Sequence, residues 1–295
     1  MNKTLSSLYG LKWNPFSPEV PTEACRVAPR VDNFGWRVEN LAREGGFALV
    51  TGDPGTGKSV VLRVLRRRLA AVRDLSVGVL TRPQGSVPDF YRELGELFGV
   101  RLSPHNRWAG AKALREQWQT HLESTLYRAV LLIDEAQEIR PAVLQELQLL
   151  ASAELDSRSL LTVVLSGDGR LLEKFKTEEL LALGTRMRVR LSMEALSAAE
   201  LTEVLRHVLA EAGNPTLLTA ELVATLGEHA LGNLRVLMRM GGELLDAAVQ
   251  RKVERLDEKL YFEVYEVPPA PPCVRGKTGA RGPALRQGSG AGAGR

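Results

Sequence analysis

Nine consecutive residues have the types and spacing needed to hold a phosphate chain, and the first eight fit the pattern G-x-x-x-x-G-K-[ST] at every fixed position. They are Gly52, Asp53, Pro54, Gly55, Thr56, Gly57, Lys58, Ser59 and Val60. Glycines let successive backbone N–H groups turn inward around an anion, and a following helix adds the positive end of its dipole. Lys58 would reach the β- and γ-phosphates, and the Ser59 hydroxyl would bind Mg²⁺. The segment predicts a nucleoside triphosphate site; a chance glycine-rich turn before a helix is the alternative.

Two adjacent carboxylates are typical of the second half of such a site. Asp134 and Glu135 follow an apolar run at residues 129–133, which predicts a buried strand. A carboxylate at the end of a strand beside the phosphate loop suits Mg²⁺, and we assign that role to Asp134. The next acid is placed to polarise the attacking water, so Glu135 is the predicted general base. A solvated Asp-Glu pair at the start of a loop is the competing interpretation.

Three further polar residues are candidates for the same chemistry. Ser166, with Asp168 two residues later, ends a strand expected between the two motifs, where it would position the water; a plain turn explains it equally well. Arg186 precedes the last predicted strand and would meet the γ-phosphate of a neighbouring subunit, unless it only guards a strand edge. Arg235 begins a later helix and would sense the γ-phosphate, unless it is a surface arginine.

Alternating strands and helices must position these residues. Apolar runs predict strands at residues 47–51, 75–80, 129–133, 160–167 and 189–193, with helices between them. Because these runs are continuously apolar, we expect a parallel sheet covered on both faces, the three-layer α/β core of a P-loop NTPase. From residue 196 the pattern is helical, and it predicts helices over 197–213, 219–232, 233–252 and 257–265.

These patterns divide the chain into four predicted parts. An N-terminal arm (1–30) precedes the α/β core (31–195), which is followed by a small helical lid domain (196–266). Prolines at 15, 18 and 21 predict an extended, turn-rich arm rather than a helix. Residues 267–295 are basic and rich in proline and glycine, and we expect this tail to be disordered.

Composition excludes several classes of protein. The 295 residues contain no run near the roughly 20 apolar residues of a membrane span, and the N-terminus lacks the apolar stretch of a secretory signal. Cys25 and Cys273 lie far apart with no metal-ligand spacing. We therefore expect a cytoplasmic protein with no membrane partner.

The net charge of +4 comes from the tail. Five of the 39 basic residues and no acidic residue lie in 268–295, so 34 basic residues face 35 acidic ones elsewhere. Any surface for nucleic acid must then be a local patch. Arg63, Arg66 and Arg67 lie at helical spacing after the phosphate loop and are one candidate, although a solvated helix face explains them as well; Arg82 is another.

Several of these segments together resemble the ExeA-type branch of the AAA+ ATPases. They are Tyr-Gly-Leu…Asn-Pro-Phe at residues 9–16, the phosphate loop, Ile-Asp-Glu-Ala-Gln at 133–137 and Gly-Asn-Leu-Arg at 232–235. The resemblance implies a protein that binds ATP between core and lid, with residues 9–16 near the nucleotide base of the ATP. It also implies that the protein hydrolyses ATP and oligomerises. One departure is Ser-Gly-Asp at 166–168, where the branch usually has a Gly-Gln pair.

Within that branch the chain looks most like the accessory ATPases of DNA transposons, which are similar to the TniB and Mu B proteins. The secretion members carry a membrane span after the ATPase, whereas here a tail predicted to be disordered follows. The resemblance implies double-stranded DNA, an integrase-like transposase and further copies of the chain as partners. An assembly ATPase or switch with a protein client and no DNA is the alternative.

Overall fold

Five parallel strands form the central sheet in a computed structural model that describes residues 2–100, 107–153 and 158–265. In chain order, the strands are β1 (Gly46–Gly52), β2 (Val77–Leu80), β3 (Ala129–Ile133), β4 (Ser152–Ala153), β5 (Arg158–Ser159), β6 (Leu161–Gly167) and β7 (Met187–Met193). The spatial order of the sheet is β2-β3-β6-β1-β7, and β4 and β5 form a separate antiparallel pair. Every pairing within the sheet is parallel, which confirms the predicted fold class.

Twelve α-helices lie in the described part of the chain. They are α1 (Asn2–Tyr9), α2 (Pro29–Glu44), α3 (Lys58–Ala70), α4 (Val87–Phe98), α5 (Arg107–Thr125), α6 (Pro141–Ala151), α7 (Gly169–Lys174), α8 (Leu181–Thr185), α9 (Ala198–Ala212), α10 (Ala220–His229), α11 (Leu234–Arg251) and α12 (Glu258–Tyr265). Short 3-10 turns occupy Thr22–Ala24 and Ala136–Glu138.

Different helices bury the two faces of the sheet. Along β1, Phe47 and Leu49 pack into a core with α4, α5 and α6, whereas Ala48 and Val50 pack into a second core with α2 and α3. This alternation is the period of a strand, and because both faces are covered, all five residues of β3 are buried. The carboxyl ends of parallel strands meet at one edge, so the phosphate loop after β1 and Asp134 after β3 lie on the same side, separated by β6.

The four helices after the sheet begin where the sequence predicts. Ser197 caps α9 with a complete capping box, since its hydroxyl accepts from the Glu200 N–H at 3.2 Å and the Glu200 carboxylate accepts from the Ser197 N–H at 2.8 Å. Thr219 caps α10 in the same manner, by accepting from the Leu222 N–H at 3.2 Å. Core and lid belong to one compact unit, Met1–Val264.

The prediction of an arm without a helix was wrong for its first part. Residues 2–9 form α1, whose Leu5 and Tyr9 lie one turn apart and are 2% and 5% exposed. The first proline comes only at residue 15, so proline does not interrupt this segment. Beyond α1, the Lys12 N–H donates to the Ala212 carbonyl at 2.8 Å, which holds the arm against the lid.

Other differences concern ends and short elements. The predicted strand at 75–80 begins only at Val77, and β7 begins at Met187, two residues earlier than predicted. Helix α8 and the β4–β5 pair were not predicted, because each is too short to show a period. The predicted tail lies outside the described residues. Among the residues described, no helix combines the length and the apolar character needed to cross a membrane.

Two neighbouring glycines of α11 allow a matched test of how the arm packs on the lid. A Cβ at Gly241 would lie 2.3 Å from a ring carbon of the buried Phe16, whereas one at Gly242 would lie 3.6 Å from the Phe16 Cβ. Both changes to alanine favour the helix by about 0.5–1 kcal/mol. We expect Gly242→Ala to raise the melting temperature and Gly241→Ala to lower it, since overpacking costs about 1–3 kcal/mol. Thermal melting of the two variants checks this, and equal shifts would contradict the packing.

Candidate active site

The phosphate loop joins the end of β1 to the start of α3. Gly55 and Gly57 have φ angles of 88° and 99°, which residues with a Cβ rarely adopt. Lys58 is only 6% exposed, and its ammonium donates to the carbonyls of Gly52 at 2.8 Å and Asp53 at 3.1 Å. The lysine charge is therefore held over the loop itself.

The two carboxylates after β3 have different surroundings. Asp134 is half-buried, and its Oδ1 accepts from the Ser166 hydroxyl at 2.9 Å and from the Glu135 N–H at 3.0 Å. Glu135 is exposed, faces the cavity described below and has a left-handed backbone with φ 50°. Asp134 is thus held by two donors, while Glu135 lies among the residues that line the cavity.

Ser166 is fully buried between the two motifs, since β6 lies between β3 and β1. Its hydroxyl donates to Asp134, so in this structure it orients that carboxylate; its action on the water stays a prediction. Asp168 caps α7 and pairs with Arg170 at 2.9 Å. The hydrogen bond from Arg170 is the main reason that the pKa of the Asp168 carboxyl lies below its ordinary value, with a smaller contribution from the Lys58 charge.

Sequence reasoning missed Gln137, which it treated only as part of a family signature. This side chain is 4% exposed and contacts both Glu135 and the backbone of Asp168. A glutamine two residues after an acid gives no periodic signal, and only the 3-10 turn at Ala136–Glu138 brings it back toward Glu135.

The lid touches the phosphate loop directly. The Asn233 amide donates to the Pro54 carbonyl at 3.1 Å, and the Arg235 N–H is 3.3 Å from the Gly55 carbonyl. A Cβ at Gly55 would lie 2.1 Å from the Asn233 Oδ1, so this contact requires a glycine. The Arg235 side chain is exposed and lines the cavity; that it senses bound phosphate stays a prediction.

A cavity of about 580 Å³ lies between the arm, α3 and the lid. Its lining includes residues 55–61 of the loop and helix, Glu135, Leu196 and Arg235. A volume of this size is within the usual range for a small-molecule site. Phe16 of the 9–16 segment lines the cavity, whereas the Tyr9 hydroxyl donates to the Val253 carbonyl at 2.8 Å; that this segment lies near the nucleotide base stays a prediction.

Arg186 does not reach this cavity in its own subunit. It precedes β7, whose first residue Met187 pairs with Phe47 and whose last residue Met193 pairs with Gly52 at the phosphate loop. Six residues of strand separate the two ends by about 20 Å. The Arg186 guanidinium donates to the Ser152 hydroxyl at 3.0 Å, on the far side of the sheet from the loop.

Three of the four arginines of α3 have partners in the arm or in α2, whereas Arg66 is exposed. Arg63 donates to the Pro18 carbonyl at 3.1 Å and also to the Val20 carbonyl, which pins the arm to the helix. Arg67, which belongs to the predicted patch, pairs with an acidic residue of the arm. Arg68, which lies next to the patch, pairs with two acidic residues of α2. Periodicity shows which residues share a face but not what covers that face, and DNA contact by the exposed Arg66 and Arg67 stays a prediction.

Comparisons with known proteins agree with this architecture. Residues 41–175 match a family model described as an AAA domain. General secretion pathway protein A of Aeromonas hydrophila is 31% identical over 211 residues, which are 70% of this chain and 38% of that protein. The chain thus spans well under half the length of this relative.

Solved structures share the fold at low identity. Cdc6p from Pyrobaculum aerophilum has a TM-score of 0.67 at 15% identity, with 85% of this chain and 69% of that chain covered. The Aeropyrum pernix ORC1 protein, solved in complex with DNA, has a TM-score of 0.63 at 20% identity, with 85% and 67% covered. The parallel sheet and the solved structures show that the chain has the fold of the AAA+ P-loop ATPases, and residues 41–175 match an AAA domain.

Proposed function

We propose that this chain binds ATP with Mg²⁺ between core and lid and hydrolyses the ATP with Glu135 as general base. One observation carries the proposal: the phosphate loop, Glu135 and Arg235 of the lid all line a single cavity. Each part alone has a structural explanation, but an anion-binding loop, a base and a lid cation around one cavity match the needs of phosphoryl transfer.

The binding roles follow from the charges and donors of the site. Backbone N–H groups of the loop and the Lys58 ammonium would hold the phosphates, and the ammonium would exchange its present carbonyl partners for phosphate oxygens. Ser59 and Asp134 fit Mg²⁺, because both offer hard oxygen ligands and Asp134 is already oriented by two donors. When bound, Mg²⁺ neutralises charge on the β- and γ-phosphate oxygens.

Arg186 would act on the site of a neighbouring subunit. Its distance from the phosphate loop of its own chain, about 20 Å by strand rise, supports action in trans over action in cis. A guanidinium supplied by a neighbour would stabilise the charge on the transferred phosphoryl group. Hydrolysis would then require a ring or filament of identical subunits, with a complete site only at each contact between them.

For the partner, we favour double-stranded DNA and a role as a transposition accessory ATPase that recruits or activates an integrase-like transposase. The sequence resemblance supports it, as does the fold shared with an ORC1 protein solved on DNA. Because α3 uses most of its arginines internally, the grip of one subunit on DNA would rest on few exposed side chains, such as Arg66 and Arg82. Assembly would multiply these weak contacts.

A protein client is the second candidate. General secretion pathway protein A is the relative that favours it, and the pairing of Arg63, Arg67 and Arg68 within the chain reduces the basic patch predicted for DNA. In this candidate the same ATP cycle would drive assembly of a protein complex.

The assignment of the base and of the phosphate-binding lysine is tested by two substitutions. Lys58→Ala should remove most ATP affinity, because it deletes the charge nearest the phosphates. Glu135→Gln should retain ATP but slow hydrolysis by about 10²- to 10⁴-fold, the usual range for a positioned general base. Calorimetric titration and a phosphate-release assay separate binding from turnover. If the Glu135→Gln variant hydrolyses ATP at the wild-type rate, Glu135 is not the general base.

Mixing two inactive variants tests the arginine supplied in trans. Lys58→Ala has an empty site but an intact Arg186, whereas Arg186→Ala has the reverse. We expect an equimolar mixture to exceed the summed activity of the separate proteins, because mixed contacts contain one complete site. Arg188→Ala is the matched control, since Arg188 is two residues away and pairs with Glu44 at 2.5 Å; it should keep wild-type activity. If activity per subunit stays constant on dilution to monomers, the site is self-sufficient.

Co-sedimentation with duplex DNA separates the two partner candidates. We expect a chain ending at Val267, which lacks the basic tail, to be retained by DNA with a non-hydrolysable ATP analogue but not with ADP. Retention should fall steeply between low and moderate salt, because binding to phosphates releases counterions. An Arg66→Gln, Arg82→Gln double variant should reduce retention at equal ATP affinity. No retention under any condition would leave the protein client as the function.

A further inference from the structure

The buried side chain of Gln137 joins the proposed base to the end of β6. Its Nε2 donates to a carboxylate oxygen of Glu135, and its Oε1 accepts the N–H of Asp168 at 3.3 Å. The side chain is 4% exposed, so water does not compete freely for these bonds. The two ends of one amide thus bridge the segment after β3 and the segment after β6.

Hydrogen-bond chemistry allows only one orientation of this amide. The backbone N–H of Asp168 is a donor and needs an oxygen, so Oε1 must face it. The Glu135 carboxylate only accepts when ionised, so it must face the NH₂ group. Rotating the amide by half a turn would break both bonds, and a donor is therefore always presented to Glu135.

The surroundings leave Gln137 little room to move. A Cβ on Gly167 would lie 2.7 Å from its Oε1, so the glycine lets the amide approach β6. Lys174 of α7 donates to the carbonyl of Gln137 and, at 2.8 Å, to the carbonyl of Ile139, which ties the middle of the turn and the residue after it to α7. The backbone and the side chain are both held.

We propose that Gln137 is the positioning residue for Glu135: its donated hydrogen bond holds the base carboxylate in the orientation used for hydrolysis. This inference rests on the proposed function, in which Glu135 is the base. Glu135 is exposed and has several rotatable bonds, so without a partner its carboxylate would sample many orientations. Gln137 acts on turnover through Glu135 and not on ATP binding, because it does not line the cavity.

Two substitutions distinguish the two ends of the amide. Gln137→Ala removes both bonds. Gln137→Glu keeps an oxygen for the Asp168 N–H but replaces the donor to Glu135 with a repelling oxygen. We expect both to lower kcat by about 10- to 100-fold, the range found when partners that orient reactive ligands are removed, with ATP affinity unchanged. The control is Gln119→Ala, whose amide donates to Glu123 at 3.3 Å on an exposed helix face; it should keep wild-type kcat.

The decisive measurement is a double-mutant cycle read by single-turnover hydrolysis. In a Glu135→Ala background, Gln137→Ala should cause no further loss, because its effect passes through the missing carboxylate. An equal further loss would assign Gln137 a purely structural role and overturn the inference, as would wild-type or raised kcat in both single variants. If Glu135→Ala itself keeps wild-type turnover, the proposed function fails and the inference falls with it.

Discussion

The contact between Asn233 and the phosphate loop is the interaction on which the rest of the site depends. The Asn233 Oδ1 caps α11 by accepting from the N–H groups of Arg235 and Val236, while its Nδ2 donates to the Pro54 carbonyl. One side chain thus begins a lid helix and fixes that helix to the loop. Because α11 starts at the loop, the position of this lid helix and the conformation of the loop are joined through one side chain.

The arm is the second link between core and lid, and it runs beside the same cavity. Its aromatic residue Phe16 packs on Gly241 of α11, its carbonyls at residues 18 and 20 accept from Arg63 of α3, and Arg26 pairs with Glu203 of α9. The helix after the phosphate loop, α3, therefore binds the middle of the arm, and the arm contacts the lid on either side of that point. Three of the four arginines of α3, Arg63, Arg67 and Arg68, thus bind the arm and α2, whereas Arg66 is exposed.

The sequence was sufficient to predict the fold and to select the residues of the candidate site. It was insufficient to predict the hydrogen bonds that connect those residues. Continuous apolar runs predicted the parallel sheet, and the capping box at Ser197 marked the start of α9, because these signals are local. The roles of Arg63 and Gln137 depend on partners 45 and 31 residues away, which no spacing along the chain reveals. Helix α1 was missed because the prediction for the arm rested on prolines that begin at residue 15, whereas residues 2–9 contain no proline.

In the proposed mechanism, the catalytic geometry is built across strands, and completion of the site is left to another subunit. The hydroxyl of Ser166 on β6 donates to Asp134 after β3, and the side chain of Gln137 bonds to both Glu135 and the backbone of Asp168. These bonds make the ends of β3 and β6 one rigid body. Arg186 lies at the other end of the sheet, so no motion within a subunit that preserves the strands brings it to its own site. If Arg186 is the cation that completes the site, as proposed, its position at the opposite end of the sheet makes hydrolysis depend on a neighbouring subunit.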